Sequence, residues 1–191
     1  MASPSIRAAS LVCLAIACAA PGERGLAVYG GRYSDASLPD EILAAERVTY
    51  ADSWLVAASW SEPFSDFGWG RWEWELGAAK HFGLQTHGEL NALVVARFGR
   101  PASPRVPGLS LAIGEGLSLA TEVPPLEQAS HTNDGARRLL NHLMIEVAMR
   151  PRADASYELF GRVHHRSGVF GLFDGVRGGS NVLGVGVRWF L

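Results

Sequence analysis

The last eleven residues of the chain alternate strictly between two kinds of side chain. One face carries Leu183, Val185, Val187, Trp189 and Leu191, and the other carries Val182, Gly184, Gly186, Arg188 and Phe190. A period of two belongs to a β-strand, because successive side chains of a strand point to opposite faces. One wholly apolar face beside one small or charged face is typical of a wall strand in a membrane barrel.

The same division recurs in seven other segments, at residues 27–33, 48–61, 71–82, 87–98, 109–121, 139–150 and 155–167. Proline, glycine and polar runs separate them, as turns and loops would. Beyond residue 20, no apolar run is long enough for a membrane helix, so a membrane-embedded form must be a closed barrel. The sequence therefore predicts an all-β fold, an eight-stranded antiparallel up-and-down transmembrane β-barrel.

A soluble lipocalin-like barrel would also show alternating strands, but its apolar face would point inward. Trp72, Trp74 and Trp189 on the apolar faces favour a membrane girdle instead. The opposite faces are polar, with Arg71, Glu73, Glu75, Glu89, Arg97, His142, Glu146, Glu158, Arg162 and Arg188. Since eight strands enclose just enough room for side chains, we expect these charges to pair with one another and fill the lumen.

The start of the chain has the features of a secretory signal peptide. Arg7 precedes an apolar stretch at residues 8–20, and small residues allow cleavage after Ala20 or after Ala27. The predicted organisation is a signal peptide at 1–27 and a single outer-membrane barrel domain at 28–191. Both cysteines lie in the leader, which excludes disulfides and thiolate metal sites from the exported chain. A formal net charge of −2 gives no reason to expect nucleic acid.

The seventh predicted strand carries a His-x-Ser pair. His165 and Ser167 continue the outward, apolar parity of Tyr157, Leu159, Gly161 and Val163. Two residues span about 6 to 7 Å along a strand, so the side chains could form a general base and a nucleophile. Alone, the pattern also fits two interfacial polar residues. If the N-terminus is periplasmic, an odd-numbered strand ends outside, where the pair would meet ester-linked acyl chains of lipopolysaccharide.

The final third of the chain resembles a known family. The resemblance rests on the segments Arg162-Val-His-His-Arg-Ser-Gly168, Gly178-Gly-Ser-Asn181, Gly186-Val-Arg-Trp-Phe190, Gly114-Glu-Gly-Leu-Ser118 and Glu122-Val-Pro124. These resemble the lipid A 3-O-deacylase (PagL-like) family of outer-membrane barrels. The resemblance implies an eight-stranded barrel whose active site faces lipid, with Ser167 attacking an ester carbonyl and His165 as general base.

Further expectations follow from the resemblance. It implies a carboxylic ester hydrolase of the lipid A deacylase or acyloxyacyl hydrolase type, with no metal and no organic cofactor. The expected location is the Gram-negative cell outer membrane. The expected partners are lipid A in lipopolysaccharide and the barrel assembly machinery.

The chain departs from the family at two positions. The family carries an Asn after the serine, where this chain has Gly168, and a Glu near the start of the last strand, where this chain has Val182, Leu183 and Val185. Asp174 and Glu115 are the candidate replacements for this acid. Asn181, at the head of the last strand, is placed to orient His165 or to donate to an oxyanion.

The sequence leaves two functions open. The first is an outer-membrane esterase that removes an ester-linked acyl chain from lipid A. The alternative is a non-catalytic outer-membrane barrel with a structural or binding role. The direction of His165 and Ser167 decides whether the lipid-facing site is possible at all.

Overall fold

A computed structural model describes residues 23–34, 38, 48–130 and 135–191. Its strands are β1 (Gly25–Ser34), β2 (Tyr50–Phe67), β3 (Gly70–Gly83), β4 (Gly88–Arg100), β5 (Gly108–Ala120), β6 (Leu139–Arg150), β7 (Tyr157–Ser167) and β8 (Gly179–Phe190). Each strand pairs antiparallel with its neighbours along the chain, and β8 closes on β1. The predicted eight-stranded antiparallel barrel is confirmed. A short helix, α1 (Pro125–Ser130), precedes β6.

No helix among the described residues is long and apolar enough to cross a membrane.

The two faces of the wall differ in polarity as the alternation predicts. Large apolar side chains cover the outside, where Leu76, Leu90 and Val185 are 59%, 61% and 72% exposed. The predicted lumen charges lie inside, and most are almost fully buried. A soluble barrel with its apolar face inward is therefore excluded.

One half of the lumen is filled by an ion-pair network. Glu146 on β6 accepts hydrogen bonds from Arg97, Arg162 and Arg188 at distances between 2.6 and 2.9 Å. Arg162 also binds Glu75 at 2.5 and 3.0 Å. Such a network stabilises the barrel only while every charge keeps its partner, because one unpaired buried charge is strongly destabilising.

The two ends of the barrel carry different connections. β1 begins and β8 ends at one end, here called the terminal end, together with the links at 68–69, 101–107 and 151–156. At the opposite, far end lie the ends of β1, β3, β5 and β7 and the starts of β2, β4, β6 and β8, with the links at 84–87 and 168–178. The links at 35–49 and 121–138 join strands at this end. Longer links thus follow the odd-numbered strands, except for the short link at 84–87. β7 runs toward the far end, so His165 and Ser167 lie there.

The second strand differs from its predicted span. The alternation predicts this strand at residues 48–61, followed by a break at Pro63, but β2 runs from Tyr50 to Phe67. The pairing of β2 with β3 shifts between Pro63 and Ser65. Phe64 has no cross-strand partner at this shift, so the strand contains a β-bulge. Proline lacks a backbone N–H for the ladder, and bulges are among the few places in a sheet where it occurs.

The predicted signal peptide lies outside the described residues, apart from its last few positions. β1 begins at Gly25, before the expected start at residue 27. Ala27 pairs with Ser59 of β2 and with Arg188 of β8. Cleavage after Ala27 would remove the first three residues of β1, whereas cleavage after Ala20 leaves the strand intact.

Candidate active site

The far end of β7 carries two polar side chains on the outer wall. His165 and Ser167 follow the outward residues Leu159 and Gly161, and both are half-buried. Between them, Arg166 points into the lumen and is 1% exposed. The predicted pair therefore projects outward.

Asn181 orients the His165 ring. The two residues are cross-strand partners of β7 and β8, and His165 Nδ1 lies 2.7 Å from Asn181 Oδ1. Because an amide oxygen can only accept, the ring donates from Nδ1, and its Nε2 keeps a free lone pair. Asn181 is 2% exposed, so packing holds the amide in place. A proton on Nδ1 and a lone pair on Nε2 is the tautomer that a general base needs.

Gly179 brings His165 and Ser167 next to one small space. It is the cross-strand partner of Ser167. A Cβ built on Gly179 would lie 2.9 Å from His165 Cε1, 3.0 Å from Ser167 Cβ and 2.5 Å from the Arg166 carbonyl oxygen. A side chain there would collide with both members of the pair. In the described part of the chain, no hydrogen bond joins the Ser167 hydroxyl to the His165 ring.

Gly168 is also required by close packing. A Cβ at this position would lie 1.9 Å from the Val176 carbonyl oxygen. The Gly168 amide donates to the Gly178 carbonyl at 3.1 Å. The Asn that the resembled family carries after its serine does not fit here, because the 168–178 link folds directly against this residue.

A second amide, which sequence reasoning missed, lies beside Ser167. Asn141 on β6 is the cross-strand partner of Ser167 and is 7% exposed. Its Nδ2 donates to the Glu115 carboxylate and, at 3.1 Å, to the Gly116 carbonyl. The available signal was an Asn that interrupts the apolar outer face between Leu139 and Leu143.

The two candidate acids lie away from the His165 ring. Asp174 pairs with Arg137 and is exposed. Glu115 is on β5, two strands from His165, and accepts a hydrogen bond from Asn141 on β6. Among the described residues no carboxylate contacts His165, and Asn181 occupies the place of an acid. The structure thus joins His165 to Asn181 and sets Ser167 beside both, with Glu115 behind Asn141.

An apolar depression lies on the outer wall nearer the terminal end. Its volume is about 770 Å³, and its lining includes Gly30, Gly161 and Val185. Gly161 has open space where a Cβ would stand. It lies four residues before His165, about 13 Å along β7 at the usual rise of a strand.

Comparisons with known proteins bear on the fold. No family model matches the sequence, and no curated protein matches it. The structure is similar to the crystal structure of the outer membrane enzyme PagL, with a TM-score of 0.56 and 12% sequence identity. The match covers 86% of this chain and 98% of that chain. At this identity the two proteins share a fold, an eight-stranded barrel.

Proposed function

We propose that the chain is an outer-membrane esterase that removes an ester-linked acyl chain from lipid A. The observation that carries the proposal is the outward His165–Asn181 pair with Ser167 beside it. The apolar outer wall supports a membrane location, where a polar pair is costly and tends to be functional. The structural likeness to an outer membrane enzyme supports the same assignment.

The proposed first step is acyl transfer to Ser167. His165 Nε2 takes the proton from Ser167 Oγ as that oxygen attacks the ester carbonyl carbon. The tetrahedral intermediate collapses, the bond to the sugar oxygen breaks, and His165 returns the proton to that oxygen. Asn181 holds the ring and stabilises the imidazolium through its carbonyl oxygen, the role that a carboxylate has in a Ser-His-Asp triad.

The second step is hydrolysis of the acyl-serine. Water gives a proton to His165 Nε2 and attacks the acyl carbon, and the proton then returns to Ser167 Oγ as the fatty acid leaves. In this proposal the oxyanion donor in both steps is the Asn141 amide, which is opposite Ser167 in the ladder; one of its N–H groups turns from the Glu115 carboxylate to the acyl oxygen, while the other keeps the Gly116 carbonyl. Oriented amide donors of this kind stabilise the developing charge.

The apolar depression suits the acyl chain. A chain that enters the site from the outer leaflet extends down the wall, parallel to the strands. The depression lies along that path, and its glycines leave room for a methylene chain. The proposed substrate is therefore cleaved near the far end while its acyl tail lies against β7 and β8.

Mass spectrometry of lipid A tests this proposal. The full chain is expressed in a host with intact lipopolysaccharide, and lipid A is compared with that of cells that express Ser167→Ala. We expect loss of one acyl chain with the wild type and intact lipid A with the variant. Ser156→Ala is the matched control, since Ser156 lies in a link at the terminal end.

Two outcomes would overturn the proposal. Intact lipid A beside folded wild-type protein would favour the non-catalytic barrel. Loss of an acyl chain that survives Ser167→Ala would remove the nucleophile assigned to the reaction. Folding is checked by the heat-dependent gel mobility of the barrel.

A further inference from the structure

The far half of the lumen contains a histidine cluster. Of the six histidines in the chain, four surround Glu89: His81 on β3, His87 in the 84–87 link, His142 on β6 and His164 on β7. All four rings are at most 3% exposed, as is Glu89. This cluster lies inside the wall and takes no part in the proposed esterase.

The Glu89 carboxylate uses its two oxygens differently. Oε1 lies 2.9 Å from His81 Nε2 and 3.2 Å from His87 Nε2. Oε2 accepts from His164 Nε2 at 3.0 Å and from the Ser118 hydroxyl at 3.3 Å. Two donors therefore hold one oxygen, while the other oxygen faces two imidazole nitrogens.

The three atoms on the Oε1 side have the spacing of metal ligands. The ligand atoms of His81, His87 and Glu89 all lie within 4.8 Å of one another. Ligands at about 2.0–2.1 Å from a tetrahedral zinc ion are roughly 3.3 Å apart, close to the distances from Oε1 to the two rings. The two rings stack with centroids 4.1 Å apart, so both Nε2 atoms approach Oε1 from one side.

The surrounding groups suit metal-bound histidines. Gln85 Nε2 lies 3.2 Å from His81 Nδ1, and Gln85 Oε1 has no hydrogen bond among the described residues. If the Gln85 amide is rotated, its Oε1 accepts a hydrogen bond from His81 Nδ1. The proton of the His81 ring is then on Nδ1, and His81 Nε2 has a lone pair for a metal. His87 Nδ1 makes no hydrogen bond in the described chain, so a metal-bound His87 would need water as the acceptor for its Nδ1 proton. The Tyr29 hydroxyl, 2.9 Å from Nδ1, positions His164.

The charge balance differs between the two halves of the lumen. In the terminal half, four carboxylates face four guanidinium groups: Glu73, Glu75, Glu146 and Glu158 with Arg71, Arg97, Arg162 and Arg188. In the far half, Arg166 pairs with Glu127 at 2.9 Å and stands 3.8 Å from Glu89. Among the described residues, Glu89 thus has no guanidinium within hydrogen-bond distance, and a cation beside it would balance its charge.

We propose that His81, His87 and Glu89 bind one divalent transition-metal ion of the zinc type inside the lumen, near its far end. Two imidazoles and one carboxylate are a common zinc ligand set. His164 and Ser118 hold the second oxygen of the carboxylate, and water completes the coordination. The ion ties the 84–87 link to β4 and, through His164, to β7.

Zinc titration of the refolded chain tests the site. Untagged, full-length protein is freed of metal with a chelator and titrated with Zn²⁺ by calorimetry, and bound zinc is counted by elemental mass spectrometry. We expect one zinc per barrel, with affinity at least about 100-fold lower in the His81→Gln/His87→Gln double variant. His142→Gln is the matched control, since that ring is buried in the same lumen without a bond to Glu89, and it should bind zinc like the wild type.

Cobalt spectroscopy supplies a second readout. Co²⁺ in a site with three protein ligands gives intense visible absorption, which we expect in the wild type and not in Glu89→Gln. If the double variant does not fold, His87→Gln decides, because His87 lies in a link rather than in the wall. Failure of the wild type to bind stoichiometric zinc would overturn the proposal. Equal zinc binding by His87→Gln and the wild type would also overturn it.

Discussion

Two adjacent histidines of β7 face opposite sides of the barrel wall, and in the proposed reaction only the outer one takes part. His164 points into the lumen, is 2% exposed, and contacts Glu89 at 3.0 Å and Tyr29 at 2.9 Å. His165 points outward, and its Nδ1 lies 2.7 Å from Asn181 Oδ1. Both ring nitrogens of the inner residue are hydrogen-bonded, whereas the proposed reaction uses Nε2 of the outer residue as the base. A shift of one residue thus changes the role of the same side chain.

The difference reflects the surroundings of each face. Inside, polar groups are numerous and satisfy one another, which fixes them. Outside, the few polar groups stand among apolar side chains, so fewer polar neighbours compete for the nitrogens of an outward ring.

Removing the outer ring should abolish activity. In His165→Ala we expect acyl release from purified lipopolysaccharide in mixed micelles to fall by about 10³-fold or more, because no base remains for Ser167. His164→Ala should keep the activity of its folded fraction within a few-fold of wild type. Equal losses of activity in the two variants would show that the side of the wall a histidine faces does not decide whether it is needed for the reaction.

Replacing the orienting amide should have a smaller effect. Asn181→Leu leaves the base in place without a partner for Nδ1, so we expect kcat/KM to fall by about 10²-fold. Asn181→Asp, which places a carboxylate at the same atom, should match or exceed the wild type. An Asn181→Leu enzyme with wild-type kinetics would rule out the orienting role.

Removing the inner ring should affect stability. His164→Ala takes one donor from Glu89 and a partner from the buried Tyr29 hydroxyl, which should cost about 1–3 kcal/mol for each group left unsatisfied. Urea unfolding in detergent, followed by tryptophan fluorescence, measures the change. His165→Ala takes a partner from one buried group, the Asn181 amide oxygen, so we expect a smaller loss than in His164→Ala, and an equal or larger loss would mean that the outer ring is as structural as the inner one.

The sequence was sufficient to predict the features that depend only on the alternation of side chains within one strand. Alternation predicts eight strands, the inward charges and the outward His165 and Ser167, because each follows from parity within one strand. It did not reveal Asn141 beside Ser167 or the histidines around Glu89. Those contacts depend on the register between strands, which joins His164 to Glu89 across 75 positions of sequence. The bulge at Pro63 and the packing against Gly168 likewise depend on neighbouring backbone.

The smallest predicted effect is the pH dependence of stability that comes from Glu127, near the far end. Burial of the Glu127 side chain in α1 raises the pKa of its carboxyl, against the charge of Arg166. The folded state therefore favours the protonated form. The contribution of Glu127 to stability is complete below the ordinary Glu pKa of about 4.3 and is lost as the pH rises through the raised value.

Glu127→Gln checks this effect. Glutamine mimics the protonated form, so the difference in unfolding free energy between wild type and variant should change with pH in that window by less than about 1.4 kcal/mol per pH unit. Gln128→Glu, in the same helix but exposed, is the control. A difference that does not change with pH would contradict the assignment.

Covalent labelling tests the outer site most directly. A phosphonate ester with a good leaving group reacts with an activated serine, forming an Oγ–phosphorus bond as the leaving group departs. Peptide mass spectrometry of the folded, labelled chain should find the adduct on Ser167 in the wild type and lose it in His165→Ala, while His164→Ala keeps it. Failure to label Ser167, or labelling that does not depend on His165, would contradict the assignment of these two residues as base and nucleophile.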